Sequence, residues 1–566
     1  MSETSGASAE RGCALSFDLT ERPWIGVLQQ DGSQVELSLR EVFETAHGIR
    51  RIAGDLPTQE FALTRLLLAV AHDALDGPKD IEHWSALWND QDCFAAVAEY
   101  LNAHRGSFDL LDPETPFFQT AGLRTAKDEV FSLNRIVADV PNGDPFFSAR
   151  LPAADRLDFA EAARWVVHAH AYDTSGIKSG AAGDDRAKGG KVYPLGVGWA
   201  GNLGGVYVEG RDLRETLLLN LVAADTNGIV SGSDDRPAWR REPGGPGGAE
   251  RVPTGLRDLY TWQSRRLRLH ADANGVHGVV LGYGDPLSAR NMHTHEPMTG
   301  WRRSQAQEKK HREKLIYMPR EHDPARSAWR GVSSLVADRE QSRKGTDGVV
   351  LHLRPGVLEW VARLVTTRRL PRGFLVRART IGTAYGTQQS VVDEVVDDHL
   401  TMDVVLLHEQ DREYAQQAID AAGDADEAVR TLGDLATDLE RAAGSDNEGP
   451  RTAARDHGFA ELEGPYRTWL AALGSADDPV EQRAAWQRQT YRIILRLGRQ
   501  MVADAGDLAW EGRTVTSKQG SVWLNSALAE IWFRKRLRTC LGQSFPSDRP
   551  SAPAPSAAEE SLEVHA

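Results

Sequence analysis

Cysteine is scarce in this sequence, with only Cys13, Cys93 and Cys540 among 566 residues. Three widely separated cysteines cannot build a disulfide framework or a cysteine-based zinc site, and such usage is typical of a reducing compartment. No run of about 18 apolar residues is present, so we expect no membrane-spanning helix. The opening residues, MSETSGASAERG, also lack the apolar core of a secretion signal. These absences predict a cytoplasmic protein with no membrane partner.

Basic residues are fewer than acidic residues. The 66 lysines and arginines are outnumbered by 81 acidic residues, which gives a formal net charge of −15. This balance disfavours a strongly basic, stand-alone nucleic-acid binder. Salt screens exposed charges beyond about 8 to 10 Å, however, so a local basic patch can still hold phosphates. Any nucleic-acid contact is therefore expected to be narrow, or to be made beside partner subunits that carry the main positive surface.

The sequence lacks the usual nucleotide-binding motifs. There is no GxxxxGK[ST] loop, and no nucleotide-driven motor is implied. Residues 196–201, GVGWAG, match GxGxxG in form, but they lead into the strand-like Val206-Tyr207-Val208 instead of opening a helix. A dinucleotide site requires that helix, so we reject this interpretation and predict no cofactor.

The pattern of apolar residues changes near residue 400. Before it, strand-like segments flank the turn at Asp31-Gly32, and residues 58–76 have helical periodicity. After it, long amphipathic segments without strand signals are predicted to form helices at 406–443, 453–473, 480–505 and 517–541. Four such helices with short connections predict a bundle. The fold class is α+β, predicted as a disordered leader (1–14), a mixed α/β domain (15–400), an all-α four-helix bundle (401–545) and a disordered tail (546–566).

Three polar segments are candidates for contact with nucleic acid. Residues 171–191 are glycine-rich, carry Lys178, and predict an exposed loop that serves either as a phosphate cradle or as a flexible connector. Residues 301–314, WRRSQAQEKKHREK, are the densest positive run, and both a solvated face and nucleic-acid contact remain open. The turn at 382–390 holds two glutamines that either reach base edges or are solvated, and composition favours solvation. The alternation in residues 265–269, RRLRL, predicts a strand with one basic face.

Two histidine patterns raise the alternative of a metal-dependent nuclease or phosphohydrolase. His72-Asp73 lies on a predicted helix, and His293 and His295 are two residues apart, as strand-borne metal ligands can be. Neither pattern has further ligands at a recognisable spacing. A third possibility is a purely structural adaptor, in which the bundle joins other proteins.

Taken in order, several segments resemble the large subunit of the type I-E CRISPR Cascade surveillance complex, the CasA family. They are FDLTERPWIGV from Phe17, RLLLAVAHDAL, TPFFQTAG, GIKSG, EGRDLRETLLLN, PAW, LYTWQSRRLRL and AYGTQQS. The resemblance implies a non-catalytic, DNA- and RNA-binding subunit of an antiviral ribonucleoprotein. Such a subunit reads the protospacer-adjacent motif of double-stranded DNA from the minor groove and helps to open the duplex for R-loop formation. Its further partners are the 5′ handle of the guide RNA, other Cascade subunits and a recruited helicase-nuclease.

The resemblance also implies site residues. Gln389 looks like the family's glutamine wedge, and the family's glycine loop falls at 173–176, where this sequence has only Gly176 as a glycine. The family's lysine finger falls near the basic run, at Arg302 or Arg303 or alternatively at Lys309 and Lys310. The guide-handle loop falls at residues 134–150. The expected DNA contacts are Gln388, Gln389, Ser390, Thr174, Ser175, Gly176, Lys178, Arg302, Arg303, Lys309 and Lys310, and the expected guide contacts are Asn134, Arg135, Asn142 and Arg150.

Overall fold

The computed structural model describes residues 15–138, 155–226, 228–337, 344–408, 410–517 and 520–542. The chain divides into two compact units, one formed by residues 1–419 and 470–475 and the other by residues 420–469 and 476–566. Within the described ranges, no helix is both long and apolar enough to cross a membrane.

The first unit begins with a small antiparallel sheet in the order β2-β1-β3. Its hairpin turns at Asp31-Gly32, where Gly32 has a φ of 88°, a backbone conformation that glycine adopts without a steric cost. Ser38 then starts the first helix with a capping box that includes Glu41. The elements are β1 (Ile25–Gln29), β2 (Gln34–Leu37), α1 (Leu39–Glu44) and β3 (Ile49–Ile52). The predicted hairpin is confirmed.

Two helices form the centre of the first unit. The second helix is buried along nearly its whole length and packs against the helix Phe159–Tyr172, which the Asp158 side chain caps. The helix predicted from the apolar periodicity of residues 58–76 is present. The elements are α2 (Pro57–Ala74), α3 (Ile81–Asn89), α4 (Ala95–His104) and α5 (Phe159–Tyr172).

The glycine-rich stretch after α5 is only partly exposed. Ser175 and Lys178 are buried, so the expectation of a wholly exposed loop is wrong for its front half. Residues 199–202 form a short 3-10 helix that leads into a strand, as predicted. The elements are β4 (Lys178–Ser179), β5 (Lys191–Val192), β6 (Gly205–Glu209), α6 (Leu213–Asn220), α7 (Leu256–Tyr260), β7 (Arg265–Asp272) and β8 (Gly275–Tyr283).

Two three-stranded antiparallel sheets follow, in the orders β10-β9-β11 and β13-β12-β6. The second contains the longest strands of the described residues, joined by the turn that carries Gln388 and Gln389. The elements are β9 (Trp301–Arg303), α8 (Gln305–His311), β10 (Tyr317–Pro319), α9 (Ser333–Val336), β11 (His352–Leu353), α10 (Gly356–Thr366), β12 (Leu375–Tyr385) and β13 (Val392–Asp403).

The C-terminal region is mainly helical and contains one β-hairpin. The fourth long helix begins at Ser526, so the prediction of a helix from residue 517 is wrong in its first nine residues. Residues 520–524 of that segment form a strand instead, which pairs with residues 513–517 and sets Val515 opposite Val522 and Thr514 opposite Trp523. The elements are α11 (Arg412–Ala443), α12 (Gly449–Leu473), α13 (Pro479–Ala503), α14 (Gly506–Glu511), β14 (Arg513–Ser517), β15 (Gly520–Leu524) and α15 (Ser526–Cys540).

The long helices of the second unit pack against one another. Arg483 on α13 forms ion pairs with Asp420 and Asp424 on α11, at 2.7 and 2.8 Å. On α13 and α15, Gly498 and Phe533 approach so closely that a Cβ at Gly498 would lie 2.2 Å from the ring. The predicted class, mixed helices and sheets followed by a helical C-terminal region, is confirmed.

Candidate nucleic-acid interface

The turn between β12 and β13 holds two glutamines in an unusual backbone conformation. Gln388 and Gln389 have φ values of 56° and 57°, so two consecutive non-glycine residues are left-handed. This conformation costs roughly 1–2 kcal/mol per residue and persists only where the surroundings enforce it. Here the Gly386 N–H donates to the Val391 carbonyl at 3.0 Å, and the Gln389 N–H donates to the Gly386 carbonyl at 2.9 Å. The turn is therefore a fixed protrusion, on which Gln388 and Ser390 are exposed and Gln389 is half-buried.

The structure brings this turn together with the loop that follows α5. The Ser175 N–H donates to the Gln389 carbonyl oxygen at 2.8 Å, although the two residues are more than 200 positions apart in the chain. Two segments that the sequence presented as separate candidates therefore share one hydrogen bond. Thr174 and Gly176, on either side, are half-buried.

Arg265 holds the backbone of the loop through hydrogen bonds. Its guanidinium donates to the carbonyl oxygens of Asp173 and Thr174 at 2.8 and 3.2 Å, and it also forms an ion pair with the Asp173 carboxylate. Because its side chain is only 2% exposed, these hydrogen bonds take the place of those that the guanidinium would make with water. The predicted basic face of this strand is wrong for Arg265 and Arg266, both of which are buried and paired with aspartates.

Lys178 lies in the same cluster and is not an exposed cation. Its Nζ is 2.7 Å from an Asp173 carboxylate oxygen, and its side chain is 10% exposed. Burial lowers the pKa of Lys178, and the Asp173 carboxylate opposes that shift. The expectation that Lys178 offers a free ammonium to phosphate is therefore wrong, because the ammonium neutralises a buried carboxylate.

Tyr283 holds the next residue of the loop. Its hydroxyl donates to the Gly176 carbonyl at 2.6 Å and accepts from the Gly176 N–H at 3.0 Å. The same ring lies 4.8 Å from the Arg265 guanidinium carbon, measured to the ring centroid. One side chain thus satisfies both backbone groups of Gly176.

The glycines of residues 196–201 have a packing role. A Cβ at Gly198 would lie 2.5 Å from the Ala171 carbonyl group, and a Cβ at Gly201 would lie 2.3 Å from the Tyr385 hydroxyl oxygen. That hydroxyl donates to the Tyr172 carbonyl at 2.7 Å. These glycines let strand β12 and the end of α5 approach each other, which places the loop beside the turn.

Of the two candidate finger arginines, only one is exposed. Arg303 forms ion pairs with Glu308 at 2.7 Å and Asp347 at 2.6 Å, and its side chain is 8% exposed. Arg302 lies on the opposite face of β9 and is exposed. Lys309 and Lys310 are exposed on α8. The expectation of a free cation is therefore wrong for Arg303, and Arg302, Lys309 and Lys310 remain as candidates.

The start of the predicted guide-handle loop borders the same region. Asn134, Arg135, Thr174, Lys178 and Ser390 all line one cavity of about 150 Å³. The Arg135 guanidinium carbon stacks 3.5 Å from the centroid of the Phe131 ring. Burial lowers the pKa of Arg135. The remaining candidates of this loop, Asn142 and Arg150, lie outside the described residues.

The residues of the metal hypothesis have structural roles. The Asp73 carboxylate accepts hydrogen bonds from Arg240, Arg257 and the Tyr100 hydroxyl. Burial lowers the pKa of His72 to about 3. His293 lies within the 3-10 turn formed by Met292–Thr294 and His295 directly follows that turn, so the expected strand placement is wrong. Within the described part of the chain, no group of three or more potential ligands is positioned to hold a metal ion.

Sequence reasoning missed Arg265, Tyr283 and Tyr385, which shape the loop without being exposed. A signal for two of them exists at Asn274-Gly275, a typical hairpin turn. Reading that hairpin pairs β7 with β8 and predicts the register near Arg265 to within one position. In the structure Asp272 pairs with Gly275, and a bulge between His270 and Ala271 sets Arg265 opposite Tyr283. No comparable local signal identifies Tyr385, whose partner is 213 residues away.

A family model, a curated protein and solved structures all match this chain. The family model of CRISPR-associated protein Cse1 matches residues 18–497. The crystal structure of Thermobifida fusca Cse1 has 55% sequence identity and a TM-score of 0.86, covering 94% of this chain and 99% of that one. The Thermus thermophilus protein CasA/Cse1 is 32% identical over 314 residues, which span 51% of this chain and 56% of that relative. A chain of a solved CRISPR RNA-guided surveillance complex, 18% identical with a TM-score of 0.65, shares the fold.

Proposed function

Because the chain belongs to the CRISPR-associated Cse1 family, the CasA large subunits of Cascade, we propose that it reads a short motif beside the target in double-stranded DNA and helps to open the duplex. The observation that carries this proposal is the hydrogen bond from the Ser175 N–H to the Gln389 carbonyl. The bond joins the loop at residues 174–176 to the turn that carries Gln389. It supports the proposal that the loop and the turn enter the minor groove together.

In this proposal Gln389 acts as a polar wedge. Its backbone is locked in the left-handed turn, so little conformational entropy is lost when the turn enters DNA. Separating a base step costs a few kcal/mol, which extra protein contacts must offset. An amide side chain both donates and accepts hydrogen bonds, so it compensates unpaired base edges while it interrupts stacking. The exposed Gln388 and Ser390 flank it as further contacts.

The loop at 174–176 is proposed to face the minor groove with its backbone. The Ser175 N–H already bonds to Gln389, and Tyr283 occupies the backbone groups of Gly176. Few hydrogen-bonding groups of the loop are left to read base edges, and the minor groove presents a degenerate pattern. We therefore propose that this protein tolerates several flanking motifs.

The same proposal extends to the guide RNA, the other Cascade subunits and the recruited helicase-nuclease. We place the 5′ handle of the guide RNA beside Asn134 and Arg135, which border the cavity shared with the loop and the turn. Assembly with other Cascade subunits is supported by the shared fold with a chain of an RNA-guided surveillance complex. The chain is proposed to be non-catalytic and cytoplasmic, and to offer a docking surface to a recruited helicase-nuclease.

The test replaces Gln389 by alanine in the assembled, guide-loaded complex. Binding is measured on a matched duplex and on the same target already opened by mismatches across the first base pairs. We expect Gln389→Ala to weaken duplex binding about tenfold, equivalent to about 1.4 kcal/mol, with little effect on the opened target. The exposed Gln34 on β2 supplies a matched control. Gln34→Ala should change neither binding to the duplex nor binding to the opened target. An equal loss on both targets would contradict the wedge role.

A further inference from the structure

The sheet β10-β9-β11 presents a basic face that none of the predicted roles explains in full. Arg302 on β9 pairs with Met318 on β10 and with His352 on β11, so these side chains share one face. The Arg320 N–H continues the ladder by donating to the Gly300 carbonyl at 2.8 Å, and Arg320 stands two residues beyond Met318. Strand alternation therefore places Arg302, Arg320 and His352 on the face opposite the buried Trp301.

Two of these cations have no compensating partner. Within the described ranges, neither the Arg302 nor the Arg320 guanidinium makes a hydrogen bond or ion pair. Arg320 is half-buried, and burial lowers its pKa, with Arg326 and Arg302 lowering it further. A partly buried guanidinium beside like charges is unfavourable unless an anion joins it.

The two arginines line one open cavity of about 420 Å³, which is large enough for a phosphate group. Ser327, Ser334 and His322 add polar groups to its wall. Glu321 also lines the cavity; it is exposed and, within the described ranges, makes no ion pair with either arginine, and the two aspartates of the wall bond to backbone groups. The Asp398 carboxylate accepts from the backbone N–H groups of Ala328 and His399 at 2.7 Å each, and Asp323 accepts from the Ala325 N–H at 3.0 Å.

We infer that Arg302 and Arg320 together hold one backbone phosphate of the target DNA duplex. This inference rests on the proposed function and deepens it. Guanidinium groups match the oxygens of a phosphate with paired hydrogen bonds, and two of them share one negative charge without a carboxylate competing for either. The contact is independent of sequence, so Arg302 positions the duplex while the turn at Gln389 acts beside the motif.

The test uses Arg320→Gln in the assembled complex, with binding to matched and motif-altered duplexes measured from 50 to 200 mM salt. Loss of one phosphate contact should weaken binding about five- to tenfold on both duplexes and reduce the slope of log affinity against log salt by about 1. The double variant Arg302→Gln/Arg320→Gln should reduce the slope no further, because both residues serve one phosphate. The exposed Arg50 on β3 provides a charge-matched control, Arg50→Gln, that should leave the slope unchanged.

Several outcomes separate the possible explanations. An unchanged slope with Arg320→Gln, while the parent complex still depends on the motif, overturns this inference alone. A parent complex without motif dependence overturns the proposed function instead. Reduced guide-RNA loading in the variant would assign the site to RNA and overturn the inference.

Thermal unfolding of the isolated chain tests whether Arg320 is merely structural. Removing an unpaired cation should leave Tm unchanged or raise it, whereas a structural arginine would lower it when replaced. Millimolar inorganic phosphate should raise the Tm of the parent chain and not that of Arg320→Gln. An equal rise in the Tm of both proteins with phosphate would contradict the assignment to a DNA phosphate. So would a variant that loses the phosphate-induced rise in Tm but binds duplex DNA as tightly as the parent.

Discussion

Tyr283 fixes the loop at the interface through one hydroxyl group, which serves both backbone groups of Gly176. Replacing it with phenylalanine keeps the ring against Arg265 and removes only these two bonds. Leaving a fully buried backbone group unpaired costs about 1–3 kcal/mol, and the half-buried groups of Gly176 fall at the low end of that range. We expect Tyr283→Phe to lower the free energy of unfolding by about 1 kcal/mol and to weaken duplex opening by the assembled complex, both measured against the parent protein.

Tyr260 offers a matched control for this prediction. Its ring is also buried, but its hydroxyl has no hydrogen-bond partner in the part of the chain that the structure describes. Tyr260→Phe therefore removes an unpaired buried oxygen and should leave stability and opening close to those of the parent. If both variants behave alike, Tyr283 does not position the loop through its hydroxyl.

For single charged residues, the sequence predicted the charge and missed the partner. Lys178 and Arg303 were predicted as free cations, and the structure pairs both with carboxylates. The partners of Arg303 are 5 and 44 residues away, and Arg265 reaches an aspartate 92 residues away. A charge can be read from one residue, but its neutralisation depends on tertiary contacts that no local pattern encodes.

Among the elements, α5 couples the interface to pH through His170. Its Nε2–H donates to the Phe118 carbonyl at 2.7 Å, and its Nδ1 accepts from the Arg265 N–H at 3.4 Å. Both ring nitrogens are thus used by the neutral form. Burial lowers the pKa of His170 to about 4 and that of His168, two residues earlier on α5, to about 3.

The sign of the resulting pH dependence follows from these values. An unfolded histidine titrates near pH 6.5, so the unfolded chain gains protons first as the pH falls. Stability is complete above about pH 6.5 and declines as the pH falls toward 4, by about 2 kcal/mol per buried histidine at pH 5. Urea unfolding at pH 7.5 and 5.0 measures this loss. His170→Gln, which keeps an N–H for Phe118, should shrink the difference by about 2 kcal/mol.

The exposed His47 serves as the control for this experiment, because His47→Gln should leave the pH difference as it is in the parent. A pH difference that His170→Gln does not change would show that other groups dominate acid unfolding. An increase in stability on acidification would contradict the assignment of His168 and His170 as buried neutral residues.

Element boundaries show what periodicity can and cannot predict. The long helices were found because apolar residues repeat every three to four positions over 18 residues or more. The β14–β15 hairpin was missed because its strands have only five residues each, and β15 lies inside the segment that was predicted as a helix from residue 517. Its base is fixed by Arg513, which donates to the carbonyls of Ala442 and Ala443 at the end of α11. That tertiary cap has no signature in the local sequence.

For the whole molecule, the net charge of −15 sets how the interface can work. General repulsion from DNA leaves only local cations, such as those on the β10-β9-β11 face, to attract phosphates. If the isolated chain makes two phosphate contacts, its affinity for duplex should fall about tenfold between 50 and 200 mM salt. The assembled complex, in which base pairing with the guide supplies much of the binding free energy, should lose far less for a matched target.

Fluorescence anisotropy with one labelled duplex compares the two states directly. The isolated chain should bind weakly and with the same salt slope whether or not the duplex matches the guide, because it carries no guide. The assembled complex should separate matched from unmatched duplexes at every salt concentration. Tight, salt-resistant binding by the isolated chain would contradict this division, since an acidic protein with a narrow basic face has too few phosphate contacts to hold DNA alone.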